Sequence, residues 1–388
     1  MKESGIEQVN EIISDCEDIL ATLEEMGKSP NNTKVFERRF SVSEASEMTG
    51  RSRVTLSRAE KEGIIALEKT KDSNRTVGYT LEQINKLRDH FGTRPTRTKD
   101  DPCLTIAIQS FKGGVSKSVT AVHFSQYLAQ KGYRVLLVDC DPQASATSSF
   151  GFLPDKCFQE KDTLIPYLEG QHEDLQYCIL ETYFPGVHLI PSCLPFYEAE
   201  FKLAFAAAKA EDAEERFHYF HEFKNGLDTI KDYYDFIVID SPPALGMITI
   251  NILVCSDAVV VPTPPSLYDF SSTVQYFKMI REVMSKIAID KQYEFIKILA
   301  TRADTRKSTH VEFMSLMKKI FGTSMFDKVF LQTAEIENCS SKYQTVYDQK
   351  KPQKRALSIL DNVFKEIERS LLKSWKSKSE QFIEEGVI

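Results

Sequence analysis

The feature that most constrains the fold is a seven-residue run, KGGVSKS at 112–118. It sits between an apolar stretch, LTIAI at 104–108, and a segment of helical character, SVTAVHFSQYLAQKG. Strand, glycine-rich turn, Lys-Ser and helix, in that order, gather backbone N–H groups around an anion at the positive end of a helix. Gly113, Gly114, Val115 and Ser116 are the expected cradle. Lys117 is expected to reach the β- and γ-phosphates of a nucleotide, and the Ser118 hydroxyl to ligate Mg2+. The run departs from the plain G-x-x-x-x-G-K-[ST] form. A second lysine, Lys112, precedes the glycines, and Ser116 stands in place of the last glycine.

Two further apolar runs end in acids. RVLLVDCDPQ puts Asp139 at a strand end and Asp141 two residues on; FIVIDSPP puts Asp240 at another. Parallel sheets present ligand-binding groups outside the carboxyl ends of their strands, so all three acids can converge beside the phosphates. Asp240 is expected to hold Mg2+ through water, Asp139 to join that network, and Asp141 to orient or activate the attacking water. Taken singly, any strand-end acid could merely cap the next helix. Other apolar runs (VHLIP, AVVVP, IKILAT, VFLQT) alternate with helical stretches around 118–131, 195–230, 244–255, 270–288, 309–321 and 352–376. The pattern predicts an α/β fold, a mostly parallel P-loop sheet covered by helices on both faces.

The chain ahead of this domain reads differently. Residues 1–35 carry an amphipathic helix with an acidic outer face (Ile6, Val9, Ile13, Ile19, Leu20, Leu23), which must pack on the next domain or on a second copy of itself. Residues 36–98 are rich in bases. They read as a short helix capped at Ser43, a turn at Gly50, a second helix SRVTLSRAEKEG, a polar hairpin over 64–80 and a third helix LEQINKLRDHFG. That is the order of a small winged helix-turn-helix domain. Arg51, Arg53 and Arg58 fall on its recognition helix and Arg75 at the wing tip; the alternative is a helical adaptor whose charges face water. TRPTRTKDDP at 93–102 reads as a linker, so residues 99–388 form the P-loop domain.

Bulk properties exclude other classes. The net charge of −7 argues against a protein that coats nucleic acid by charge alone. No run suits a bilayer span, and the eight scattered cysteines contain no C-x-x-C pair, as in a reduced cytosolic protein.

KGGVSKS, VDCDPQ and VIDSPP together resemble the ParA/MinD branch of deviant Walker P-loop ATPases, and the D-x-DPQ form favours ParA. The helix-turn-helix, VGYTLEQINKLRDHFGTR and IPSCLP resemble the SopA-like group of large plasmid partition ATPases, so the likeness covers most of the chain. It implies ATP and Mg2+ as cofactors, with ATP favoured over GTP, and a homodimer sandwiching two ATPs. Lys112 is then the signature lysine that contacts phosphates across the dimer. It further implies autorepression through specific operator DNA, non-specific DNA binding, weak hydrolysis stimulated by a ParB-type centromere-binding protein, and a cytoplasmic location on the nucleoid. The basic residue that such proteins use for non-specific binding would fall near Asn338, which is not basic. Lys342, Lys350, Lys351, Lys354 and Arg355 could substitute, or could be a solvated face.

Three alternatives carry less of the sequence. A MinD-like membrane protein needs a basic amphipathic C-terminal helix, but Glu366, Glu368, Glu380, Glu384 and Glu385 accompany the lysines there. An ATP-sensing repressor leaves Asp141 without a task. An iron–sulfur reductase of this fold lacks its paired cysteines.

Overall fold

The computed structural model describes residues 5–25, 34–69 and 76–378. Helix α1 (Gly5–Glu25) leaves Ile6, Val9, Ile12, Ile13 and Ile19 exposed, so no described residue covers them.

The next unit begins with α2 (Val42–Thr49), whose cap is Ser41 rather than Ser43. The Ser41 hydroxyl accepts from the Glu44 N–H, and the Glu44 carboxylate accepts from the Ser41 N–H. Such a reciprocal cap is worth about 1 kcal/mol. Gly50, left-handed at φ 65°, turns the chain into α3 (Arg53–Lys61), capped by Ser52. Leu56 and Ala59 face inward, while Arg53, Val54, Ser57 and Arg58 face solvent. Among the described residues of 64–80, the backbone makes single antiparallel bridges, Lys69–Thr76 and Phe40–Tyr79, rather than continuous strands. Arg75 and the wing tip lie outside the described residues. Helix α4 (Leu81–Phe91) closes the unit.

The stretch read as a linker is bound tightly to the following domain. Arg94 Nε donates to the Gly132 carbonyl at 2.8 Å, and Arg97 donates to the Tyr234 and Lys231 carbonyls at 2.9 and 3.0 Å. Asp101 is buried and accepts from the Thr98 and Ser377 N–H groups. These bonds satisfy an arginine-rich strap that composition alone reads as loose.

The larger domain is built on an eight-stranded sheet: β1 (Leu104–Ile108), β2 (Val135–Asp139), β3 (Leu180–Glu181), β4 (Val187–Ile190), β5 (Phe236–Asp240), β6 (Ala258–Thr263), β7 (Phe295–Ala303) and β8 (Phe330–Leu331). Their order is β3-β4-β2-β5-β1-β6-β7-β8. Only the β3–β4 pair is antiparallel. β1, β2, β5 and β6 are buried along their whole length, which is why they read as unbroken apolar runs.

Helix α5 (Lys117–Lys131) and the C-terminal helix (Lys354–Leu372) pack on one face, where Phe124, Tyr127 and Phe364 meet. Short helices α6 (Ser145–Ser149), α7 (Pro154–Cys157) and α8 (Ile165–Leu168) follow β2. The single helical stretch expected over 195–230 is three helices, α9 (Phe196–Lys209), α10 (Ala213–Tyr219) and α11 (Glu222–Asp228). Asp212 caps the second, and the chain turns again at Phe220–His221. These pack with α12 (Met247–Cys255) on the opposite face, while α13 (Leu267–Ile287) and α14 (Ser308–Phe321) cover the β6–β7 side. Helix α15 (Ala334–Ser340) precedes the C-terminal helix, α16. Among the described residues no helix is long and apolar enough to cross a membrane.

Candidate nucleotide site

The turn after β1 reverses through two left-handed residues, Gly114 and Ser116, both at φ 73°. Glycine adopts this conformation freely, but a serine held there costs on the order of 1 kcal/mol. The end of β7 clips the loop from outside. Thr301 Oγ1 donates to the Val115 carbonyl at 2.9 Å, and Arg302 Nη1 donates to the Gly114 carbonyl at 2.6 Å. Arg302 is itself left-handed (φ 52°), at a register shift between β7 and β8. Sequence reading missed both residues, although ILATRAD ends a strand on the side where the acids were sought.

Lys117 opens α5 and is buried; its ammonium donates to the Lys112 carbonyl at 3.1 Å. Burial lowers its pKa below the usual lysine range, while the nearby charges of Asp240 and Asp141 work in the other direction. The Lys112 ammonium points to α13 and pairs with Asp269 at 2.6 Å.

β2 and β5 pair in register, so Asp139 and Asp240 stand opposite one another. Their surroundings differ. Asp139 accepts from the Asp141 N–H at 3.1 Å and from the Thr147 N–H and hydroxyl at 2.8 and 2.7 Å. Its side chain therefore fixes the loop carrying Asp141, and burial raises its pKa to about 7. Asp240 is fully buried; neither oxygen makes a well-formed hydrogen bond among the described residues, and the Ser118 hydroxyl is a close polar neighbour. Burial, then the neighbouring Asp139, hold its carboxyl well above the ordinary range. Asp141 is almost as buried, and its Oδ1 accepts from the Gln143 N–H at 2.9 Å.

A buried carboxylate with a hydroxyl and a phosphate loop beside it suits a hard cation that keeps most of its waters. Among the described residues no three of His, Cys, Asp and Glu form a cage for a bare ion. The set Ser118, Asp240 and phosphate oxygens therefore fits Mg2+ delivered with a nucleotide. A cleft of about 260 Å³ adjoins the loop, lined among others by Ser116, Val119, Arg302, Leu331, Thr333 and Ile336.

The basic residues divide into two places. Arg51, Arg53 and Arg58 are exposed on the N-terminal unit. Arg51 donates to the Phe91 carbonyl, Arg53 to the Ser43 hydroxyl, and Arg58 pairs with Glu62. Lys342, Lys350, Lys351, Lys354 and Arg355 are exposed around the start of α16. Lys350 pairs with Glu37 of the N-terminal unit, and Arg355 lines a cleft with Asp304, Arg306 and Asn338.

A parallel sheet covered on both faces, a two-lysine phosphate loop after one central strand and acids at the ends of two neighbouring strands define a P-loop nucleotide-binding protein of the deviant Walker kind. A family model described as "AAA domain" matches residues 103–294. Protein SopA of Escherichia coli (strain K12) is 34% identical over 357 residues, covering 89% of this chain and 91% of SopA. The sporulation initiation inhibitor protein Soj of Bacillus subtilis is 31% identical over 267 residues, covering 68% of this chain and 97% of Soj. A solved structure described as "Partition Protein" superposes with a TM-score of 0.67 over 96% of this chain and 99% of its own, at 17% identity, which speaks to the fold alone. The chain belongs to the ParA-type partition ATPases and resembles the large member SopA along nearly its whole length.

Proposed function

We propose that this chain is a DNA-segregation ATPase whose hydrolysis of ATP times its release from DNA. One observation carries the chemistry: the two-lysine loop and the carboxylates Asp139, Asp141 and Asp240 converge at the carboxyl end of one sheet. The loop N–H groups and Lys117 bind and orient the triphosphate. Mg2+, held by Ser118 and through water by Asp240, neutralises phosphate charge when bound. Asp139 fixes the 140–147 loop, and Asp141 orients the attacking water and receives its proton. Thr301 and Arg302 keep the loop in register while this happens.

ATP brings two copies together, with Lys112 of each reaching the phosphates held by the other. The N-terminal unit binds operator DNA through Arg51, Arg53, Arg58 and Arg75 and represses the operon. The dimer binds DNA of any sequence through Lys342, Lys351, Lys354 and Arg355. A ParB-type centromere-binding protein stimulates the weak basal hydrolysis, and the protein works in the cytoplasm on the nucleoid. Support comes from membership of the partition family and from the exposure of these basic groups other than Arg75, which lies outside the described residues.

The test is ATP turnover by the purified chain, alone, with non-specific DNA, and with DNA plus its cognate centromere-binding protein. Low basal turnover that rises when both are present is the expected result. Turnover indifferent to both would overturn the partition reading while leaving the nucleotide site intact.

A further inference from the structure

The Lys112 ammonium has a partner in its own chain that competes with the role proposed for it. Asp269 lies in the first turn of α13, far along the sequence from the phosphate loop, and meets Lys112 at 2.6 Å. The Asp269 side chain is only 12% exposed, against 42% for that of Lys112. It is also aimed by its surroundings. Ser266 caps α13 by accepting from the Asp269 N–H at 3.2 Å, and the Ser266 hydroxyl donates to Asp269 Oδ2. The other oxygen, Oδ1, is the one that takes the lysine. The carboxylate is thus the fixed member of the pair, and the long, half-exposed lysine is the movable one.

We infer that Asp269 is a positioning residue that parks Lys112 in the nucleotide-free chain and gives it up only to the greater negative charge of a triphosphate. This deepens the reading of Lys112 as a group acting across a dimer, and rests on it. One ammonium cannot hold a carboxylate on its own α13 and reach phosphates bound to another copy. The contact therefore sets a threshold: a nucleotide with too little phosphate charge leaves the lysine where it is. Leu267 and Tyr268, 67% and 83% exposed in the same turn of α13 as Asp269, present apolar surface that a second copy would cover.

The test uses the full chain with Asp269→Asn, which keeps the shape and the Ser266 contact but removes the charge, and Asp269→Glu, which keeps the charge. Without nucleotide, the rate at which an amine-acylating reagent modifies Lys112 is read by mass spectrometry. Asp269→Asn should raise that rate about two- to fivefold, the share released by losing one partly exposed ion pair, and Asp269→Glu should stay near the parent. The ATP concentration giving half-maximal dimer should fall in Asp269→Asn by a similar factor. Unchanged Lys112 modification in a folded Asp269→Asn chain overturns the inference. If the parent chain forms no dimer with ATP, the reading of Lys112 as a cross-dimer group fails. The acylation rate then still decides whether Asp269 parks the lysine.

Discussion

Arg88, on the last turn of α4, donates from Nη2 to the Gln130 carbonyl at 2.9 Å, on the last turn of the helix that begins at Lys117. One rod of about 22 Å thus runs from the phosphate loop to the N-terminal unit. Gly132, just past that helix, lets the units approach closely: a Cβ there would lie 3.0 Å from both Arg88 and Pro95.

Arg88→Ala should be strongly destabilising. The guanidinium is buried and also serves the Met48 carbonyl and Asn85 Oδ1. Burial lowers its pKa to about 10, so it remains charged at neutral pH. Removing it leaves three acceptors short of a donor and should cost about 2–4 kcal/mol, read as a lower denaturant midpoint. A loss below about 0.5 kcal/mol would mean that water replaces the arginine freely.

Acid should weaken the fold through His123. Its Nδ1 lies 2.8 Å from the Val119 carbonyl and its Nε2 accepts from the Val346 N–H at 3.2 Å, an arrangement that requires the neutral ring. Complete burial lowers its pKa from 6.5 to about 4. Between those values the unfolded chain takes up a proton that the folded one refuses, so this stability is present above pH 6.5 and lost as pH falls toward 4. The difference amounts to about 3 kcal/mol at most. Urea titrations of the parent and of His123→Gln across this range should diverge, with a flatter pH dependence in the variant.

Asp139→Asn and Asp240→Asn should move stability in opposite directions. At position 139 an amide turns a donor toward the N–H and O–H groups of Asp141 and Thr147 and should cost about 1–3 kcal/mol. At position 240 it replaces a buried carboxyl that makes no well-formed hydrogen bond among the described residues and has the Ser118 hydroxyl close by, so stability holds or rises. Asp240→Asn should nevertheless weaken Mg2+-dependent nucleotide binding about 10- to 100-fold. Calorimetry with and without Mg2+ checks both.

The two proposed DNA surfaces should separate under salt. Arg53→Ala with Arg58→Ala alters α3, where a good base contact is worth about 1–3 kcal/mol, and should remove operator preference alone. Lys351→Ala with Lys354→Ala should weaken ATP-dependent binding to any sequence and flatten its salt slope, because fewer counterions are released. These substitutions are cleaner than deleting residues 1–98, which would strip Arg88, Arg94 and Arg97 from the carbonyls they serve. An unchanged slope would place the non-specific surface elsewhere.

What was legible in the sequence is what depends on short range. KGGVSKS, the strand-end acids and the alternation of buried strands with helices each lie within a few residues, and the sheet follows them. The contacts that tune the site do not. Arg302 reaches Gly114 across 188 residues, and Asp269 reaches Lys112 from another helix. Neither leaves a local pattern, because each depends on which strands the fold sets side by side. The left-handed Ser116 escaped for a different reason: a serine there looks like a lost glycine, whereas the tertiary clip holds it in a glycine's conformation. The arginines of 93–102 read as a solvated linker because their acceptors are backbone carbonyls, which no sequence pattern announces.

The measurement that bears most directly on the account is ATP hydrolysis by Asp141→Ala and Lys117→Ala beside the parent chain, with ATP binding followed in the same samples. Asp141→Ala should bind ATP and Mg2+ like the parent yet turn over much more slowly, because the phosphate cradle survives and only the water-orienting group is gone. Lys117→Ala should fail to bind. Parent-level turnover in Asp141→Ala, or parent-level affinity in Lys117→Ala, would contradict the reading of this loop and these acids as one hydrolytic site.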